Sequence, residues 1–236
     1  MKVVCLVSGG KDSTYAAWLA QRSGHEIVAL ANLFTAQEVD SWMYQSAATD
    51  QVAVYAKCFG APMYRSPLTA GIRPQDDALL LQQPATVTSI EQIDEVELLY
   101  TLLHRVKKDV PDLGGVVSGA ILSNYQRLRI EHVCTRLGLV SIAPLWERHQ
   151  DEALQEMIDL EIDAVLVKVA AYGLDKRHLG KSIAELQPYL RSLATKYGIN
   201  VAGEGGEYES FTRNAPFFKV YAIFSPLRDI RLTNRL

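Results

Sequence analysis

The residues best equipped for chemistry stand near the start of the chain, at Ser8-Gly9-Gly10-Lys11-Asp12-Ser13. Paired glycines let backbone N–H groups come close to a phosphate, because no Cβ stands in the way. A helix that follows directly points its free N–H donors and positive dipole end at the same anion. Ser8 and Ser13 can add hydroxyl donors, and Lys11 adds a point charge. Asp12 would repel a bare phosphate, so it makes sense as a magnesium ligand or as a helix cap. The spacing is not that of a Walker A loop, because Cys5 and Asp12 stand where that loop needs Gly and Ser or Thr.

A second concentration of polar chemistry lies at Gly203-Glu204-Gly205-Gly206-Glu207-Tyr208-Glu209. Gly205 and Gly206 permit a sharp turn that projects Glu204, Glu207 and Glu209 into a cleft. Carboxylates so placed suit magnesium or ammonium. A third set, Tyr125, Gln126, Arg127 and Arg129, opens a helix after Ser118-Gly119-Ala120. Arg127 and Arg129 suit phosphate neutralisation, and they equally suit ion pairs with Glu131 or Glu95. Tyr44 and Gln45 follow the second strand and are candidate pocket residues, whereas Glu97 fits either a pocket or a solvated helix face. The five histidines have no metal spacing, and no Ser-His-Asp or nucleophilic-cysteine arrangement stands out.

These residues need elements to hold them, and the pattern supplies strand and helix in alternation. Residues 2–7 form an apolar run of the kind buried on both faces of a parallel sheet. Helical periodicity follows over 12–23, 51–59, 95–108, from 123 to 137, over 152–160 and over 183–197. Gly24, Gly60, Gly138 and Gly198 stop four of these helices. Strands are expected at 27–34, 63–64, 115–119, 140–143, 164–170, 199–202 and 219–224. Residues 66–93 hold Pro67, Gly71, Pro74 and Pro84 and read as an inserted surface loop. The expected fold class is α/β, a doubly wound and mainly parallel sheet. A division near residue 110 would separate a nucleotide-binding lobe, 1–110 with the 66–93 loop, from a C-terminal lobe, 111–236, carrying the acidic motif.

Composition narrows the setting. The chain has 236 residues, a net charge of −3 with mixed signs, and no basic arm, which disfavours an extended nucleic-acid footprint. Cys5, Cys58 and Cys134 are isolated and lie in apolar stretches, as expected of core thiols in a reducing cytoplasm. No run is long enough for a membrane span, and the N-terminus enters a strand without signal-peptide features. A homodimer is left open.

The hexapeptide matches the Ser-Gly-Gly-x-Asp-Ser signature of the PP-loop ATP pyrophosphatases. The chain resembles in particular the diphthine–ammonia ligases of that superfamily. The resemblance rests on Asp40-Ser41-Trp42-Met43-Tyr44-Gln45, Asp94–Tyr100, Ser118–Glu131, Pro144-Leu145-Trp146, Gly173-Leu174 with Leu179-Gly180, and Gly203–Phe211, in order from residue 1 to about 219. It implies an adenine nucleotide alpha hydrolase-like fold with ATP and Mg²⁺ as cofactors. It also implies a cytoplasmic enzyme that adenylates the diphthine carboxylate on elongation factor 2, then lets ammonium displace AMP to give diphthamide. The implied roles are catalytic for Lys11, Asp12, Glu204 and Glu207, with Asp12 on the metal. Ser8, Gly9, Gly10, Lys11, Asp12, Ser13 and Arg127 would hold the nucleotide. Tyr44, Gln45, Glu97, Tyr125, Gln126, Arg129, Gly205, Gly206 and Glu209 would meet substrate. Diphthine's quaternary ammonium has no N–H to donate, so it must be met by carboxylates or by an aromatic face such as Tyr208. Asn124 stands where the family carries Asp. The alternatives are a PP-loop tRNA-modifying adenylase and a non-catalytic nucleotide sensor.

Overall fold

The computed structural model describes residues 1–34, 45, 47–68, 95–222 and 231–232. Its centre is the strand β1 (Lys2–Leu6), which pairs in parallel with β2 (Glu26–Phe34) on one side and β4 (Leu113–Val117) on the other. Strand β3 (Met63–Pro67) adds beyond β2, and β5 (Val140–Ile142) beyond β4, both parallel. The order is therefore β3-β2-β1-β4-β5. The chain winds outward from β1 to β3, then restarts at β4 on the opposite side. That reversal opens a crevice at the C-terminal ends of β1 and β4, where ligands of such sheets bind.

The period-2 alternation of β1 divides the core. Val3 and Cys5 point into a cluster with Tyr15, Ala16, Leu154 and Leu166. Val4 points the other way, into a cluster with Leu99, Leu102, Val133 and Leu137. Both faces are thus covered by helices. Helix α1 (Lys11–Arg22) borders the first cluster; α3 (Glu95–Asp109) and α4 (Asn124–Leu137) form the second. Full burial of a residue such as Val4 contributes about 1.5–3 kcal/mol. Between β2 and β3 a 3-10 turn over Thr49–Val54 runs into the short helix α2 (Tyr55–Phe59), which ends at Gly60 in the left-handed region.

A second sheet is built around β6 (Asp163–Val169). It pairs antiparallel with β7 (Tyr208–Asn214) and in parallel with β8 (Arg231–Leu232). Helices α5 (Gln150–Asp159) and α6 (Ile183–Tyr197) accompany it. A capping box between Ser182 and Glu185 starts α6, and Gly198 at φ +70° ends it.

Three sequence expectations change. Residues 199–202 form no strand; they enter a tight turn, and the strand comes later, at β7. Residues 219–222 form no strand either, and 223–224 lie outside the described residues. Residues 66–68, expected to open a loop, still belong to the sheet or border it. β3 runs to Pro67, and buried Leu68 still donates its N–H to the Phe34 carbonyl at 2.7 Å. Residues 69–93 of that loop lie outside the described residues.

Candidate active site

A cavity of about 870 Å³ opens at the crevice between β1 and β4. Its floor is the turn from Ser8 to Ser13. Helix α1 follows Gly10, whose N–H is held by the Ser8 hydroxyl while that of Lys11 is held by the Ser210 hydroxyl, and its positive dipole end points at the cavity floor. Ser8 and Ser13 hold the turn in shape. The Ser8 hydroxyl accepts from the Gly10 N–H at 3.2 Å, and the Ser13 hydroxyl donates to the Gly10 carbonyl at 3.1 Å.

The two glycines have different duties. Gly10 lines the cavity, whereas Gly9 does not. Gly9 sits at φ +95°, and a Cβ there would stand 3.0 Å from Val52 and 3.3 Å from Phe211. Its carbonyl accepts from the Tyr55 hydroxyl at 2.7 Å and from the Thr212 N–H at 2.8 Å. Gly9 therefore packs the turn onto α2 and β7 and does not face a ligand. Gly119, at the end of β4, completes the floor. A Cβ there would come within 2.8 Å of the Ser13 nitrogen and 2.9 Å of the Asp12 carbonyl carbon.

Lys11 is turned inward. Its side chain is buried, and its ammonium donates to Asp12 Oδ2 at 2.9 Å and to the Ala202 carbonyl. It also stands over the Tyr208 ring, 5.0 Å from the centroid. Burial works against this charge, but Asp12 and Glu204 outweigh it and hold the ammonium pKa above its ordinary value. The reading of Lys11 as a free charge for phosphate is therefore corrected: it ties the start of α1 to the acidic turn. The same contact occupies the aromatic face expected of Tyr208. That ring is buried, and its hydroxyl donates to the Val201 carbonyl at 2.8 Å.

The three glutamates of the turn also divide. Glu204 lines the cavity and accepts from the Ile121 and Leu122 N–H groups at 3.2 and 3.0 Å. Burial, then the nearby Asp12 carboxylate, raises its pKa above the usual carboxylate value. Glu207 folds back on its own turn, accepting from the Asn200 N–H at 3.0 Å and the Gly205 N–H at 2.7 Å. Glu209 reaches sideways to Lys168 at 2.9 Å and to the Ala47 N–H at 2.8 Å. Gly205 and Gly206 are exposed along the cavity edge.

Magnesium was tested against this donor set. Asp12 Oδ1 is buried and has no hydrogen-bond partner, and Asp12 lies close enough to Glu204 to raise its pKa. Two carboxylates with one orphaned oxygen fit a magnesium ion that takes its remaining ligands from phosphate and water. Among the described residues no group of three or more acidic, histidine or cysteine side chains forms a metal cage, in keeping with that kind of site.

Of the other sequence candidates, Gln45 and Gln126 line the cavity. Gln45 Nε2 donates to the Ala47 and Ser210 carbonyls, both at 3.0 Å, which holds the amide over Gly10. Arg127, Arg129, Tyr125 and Glu97 are not among the lining residues, and their expected roles are corrected. Arg127 pairs with Glu131 at 2.8 Å, donates to Asn124 Oδ1 at 3.2 Å and lies over Trp146. Arg129 is buried over the Tyr125 ring, and the Tyr125 hydroxyl donates to Glu95 at 2.8 Å. Glu97 forms a two-pronged ion pair with Arg136, joining α3 to α4. Tyr125, Arg127 and Arg129 neighbour Gln126 in sequence on α4, but a helix sends neighbouring residues to different faces, and Glu97 stands on α3. Tyr44 lies outside the described residues.

The sequence reading missed Asn32, Lys168, Gly119 and Ser210, all of which line the cavity. Asn32 is buried, donates to the Val7 carbonyl at 2.8 Å and accepts from Arg65 at 3.0 Å. Asn32 and Lys168 had a usable signal, since each is the one polar residue after the first position of its strand and stands near the strand's end.

Comparison with known families decides the identity. The diphthamide synthase N-terminal domain matches residues 1–83 and 73–141, and the diphthamide synthase C-terminal domain matches residues 149–224. The chain belongs to the diphthamide synthase family. Curated members called diphthine–ammonia ligase include those of Rattus norvegicus and Homo sapiens. Each is 46% identical over 226 residues, spanning 93% of this chain and 81% of the relative. The Saccharomyces cerevisiae ligase is 40% identical over the same share of this chain, which spans 34% of that longer protein. A solved structure described as a subunit of tRNA methyltransferase from Methanocaldococcus jannaschii aligns over 94% of this chain and 99% of its own. Its identity is 13% and its TM-score 0.39, too low to carry an argument. Diphthamide synthases related at this level are named as enzymes, and this chain is one of that enzyme family.

Proposed function

We propose that this chain is an ATP-dependent diphthine–ammonia ligase that amidates the diphthine carboxylate of elongation factor 2. The observation that carries the reading is the convergence, on one cavity, of the start of α1 with the Asp12–Glu204 carboxylate pair.

In this reading the Ser8–Ser13 turn and the α1 dipole hold the ATP phosphates, with Ser8, Gly10 and Ser13 nearest. Asp12 Oδ1 would hold magnesium, which when bound neutralises charge on the departing pyrophosphate. The diphthine carboxylate attacks the α-phosphate, giving an acyl-adenylate. Glu204, made more basic by burial than an ordinary carboxylate, takes a proton from ammonium; the ammonia so formed attacks the acyl carbon, and its second proton passes to water as AMP leaves. Glu207 keeps the turn closed, and Lys11 fixes that turn against α1. The lining carries Asp12, Glu204, Glu207 and Glu209 against Lys11 and Lys168, an excess of carboxylate that suits both ammonium and a trimethylated nitrogen.

The test is mass spectrometry of diphthine-bearing elongation factor 2 before and after incubation with the chain, ATP, Mg²⁺ and ammonium. The acid-to-amide mass change should appear together with AMP and pyrophosphate. Release of ADP in place of AMP, or no change in the factor, would overturn the reading.

A further inference from the structure

Directly beyond the cavity lies a group of aromatic rings that the core does not use. Tyr172 follows the lining residue Ala171 and is 75% exposed. Tyr197, 41% exposed, meets it edge-on with centroids 4.8 Å apart. Tyr189, 39% exposed, stacks on His178 at 5.0 Å and donates its hydroxyl to the Gly173 carbonyl at 2.8 Å.

These rings are held firmly. Gly173 has φ +93°, and a Cβ there would stand 2.5 Å from a Leu193 methyl, so the loop lies flat on α6. The Ala170 and Ala171 N–H groups donate to the Glu207 carbonyl at 2.8 and 3.0 Å. The loop that presents Tyr172 is therefore joined to the acidic turn of the cavity. Rigid tyrosines give large contact area at low entropic cost, which is their use in protein recognition.

The charge around the rings differs from that of the whole chain. Residues 172–197 carry Lys176, Arg177, Lys181, Arg191 and Lys196 against only Asp175 and Glu185, in a chain of net charge −3. Arg177 and Arg191 are paired with Asp175 and Asp151. Lys176, Lys181 and Lys196 are exposed.

We propose that this tyrosine- and lysine-bearing rim is where the substrate protein docks, through an acidic folded surface beside its modified side chain. The inference rests on the proposed ligase activity, which requires one side chain to enter the cavity while the rest of the protein stays outside. At its Tyr172 end this surface adjoins the cavity-lining Ala171, and it offers rigid aromatic anchors and exposed positive charge that would steer an acidic partner. Tyrosine and lysine also suit single-stranded RNA, but the overall negative charge of the chain opposes a polyanion.

The experiment measures binding of the full chain to purified diphthine-bearing elongation factor 2, and separately to a labelled single-stranded RNA oligonucleotide. Two variants are compared with the unaltered chain: Tyr172→Ala with Tyr197→Ala, and Lys176→Glu with Lys181→Glu. Each should weaken factor binding about tenfold or more, as loss of an interface anchor does. KM for the factor should rise in parallel, while kcat and the KM for ATP stay put. The lysine variant should also lose most of the salt dependence of association. Unchanged factor binding in both variants overturns the proposal, as does RNA binding that the tyrosine variant abolishes while factor binding persists. Binding needs no turnover, so an unaltered chain that binds the factor but forms no amide sinks the ligase reading and leaves the rim in place.

Discussion

The Lys11 ammonium reaches the carboxylate of its own neighbour, Asp12, at 2.9 Å, although the two side chains are 3% and 27% exposed. Adjacent helical residues do not ordinarily face one another. They meet here because Lys11 is drawn inward by the Ala202 carbonyl, and Asp12 follows at the cavity floor. One carboxylate oxygen is thereby fixed, and the other is left buried and unpartnered.

Asp12→Asn should abolish AMP formation while the chain still folds. Losing a charged hydrogen bond to a buried ammonium costs about 2 kcal/mol, visible as a lower Tm. Retained turnover in a variant with a lowered Tm would show Asp12 to be only a structural partner of Lys11.

Gly119→Ala should damage the site from behind. The new methyl would press on the backbone of Asp12 and Ser13, which cannot rotate away as a side chain can. Overpacking of this kind costs about 1–3 kcal/mol. The KM for ATP should rise, and denaturant melts should show the lost stability. A variant with unaltered ATP affinity would mean that α1 shifts freely.

Glu207→Ala and Glu207→Gln should separate positioning from charge. Glutamine keeps one acceptor oxygen for the turn, and alanine keeps none. Amide hydrogen exchange at Asn200 and Gly205 should accelerate in the order unaltered chain, glutamine, alanine, with kcat falling in the same order. Equal loss of kcat in both variants, with exchange unchanged in glutamine, would assign Glu207 a charge-dependent role.

The cysteines set a pH dependence. Burial pushes the Cys5 and Cys134 thiols up to about 12 from 9.0, and Cys58 also upward. Iodoacetamide at pH 8 should label none of the three until the chain is unfolded. The folded state holds these protons more tightly than the unfolded chain. Stability should therefore fall as pH rises from about 9 towards 12. A Cys5→Ala, Cys134→Ala chain should show a shallower fall; the same slope would place the titration elsewhere.

The alternation of strand and helix was legible because β1, β2 and β6 are largely apolar runs and glycine stops follow α2, α4 and α6. The start of the site was legible because its six residues are contiguous. What escaped was orientation. Arg127 and Glu97 sit on helices, and a helix sends neighbouring residues to different faces. β7 escaped because Tyr208–Asn214 mixes polar and apolar residues and is an edge of a separate three-stranded sheet, a pairing that no local pattern announces. Gly119 escaped because its importance lies in a contact with a helix more than a hundred residues earlier.

The anchoring of the Gly9 turn by β7 bears on how the molecule is made. Besides Thr212 on the Gly9 carbonyl, Ser210 accepts from the Lys11 N–H at 3.2 Å, and the Tyr55 hydroxyl bridges Gly9 and Thr212. The nucleotide turn is thus finished by a strand that lies 199 residues further along the chain. A growing chain lacking residues 208–214 has the strand and helix that flank the nucleotide loop but no brace to set its curvature. Closing so long a circuit is slow, and it ties competence for ATP to the arrival of β7.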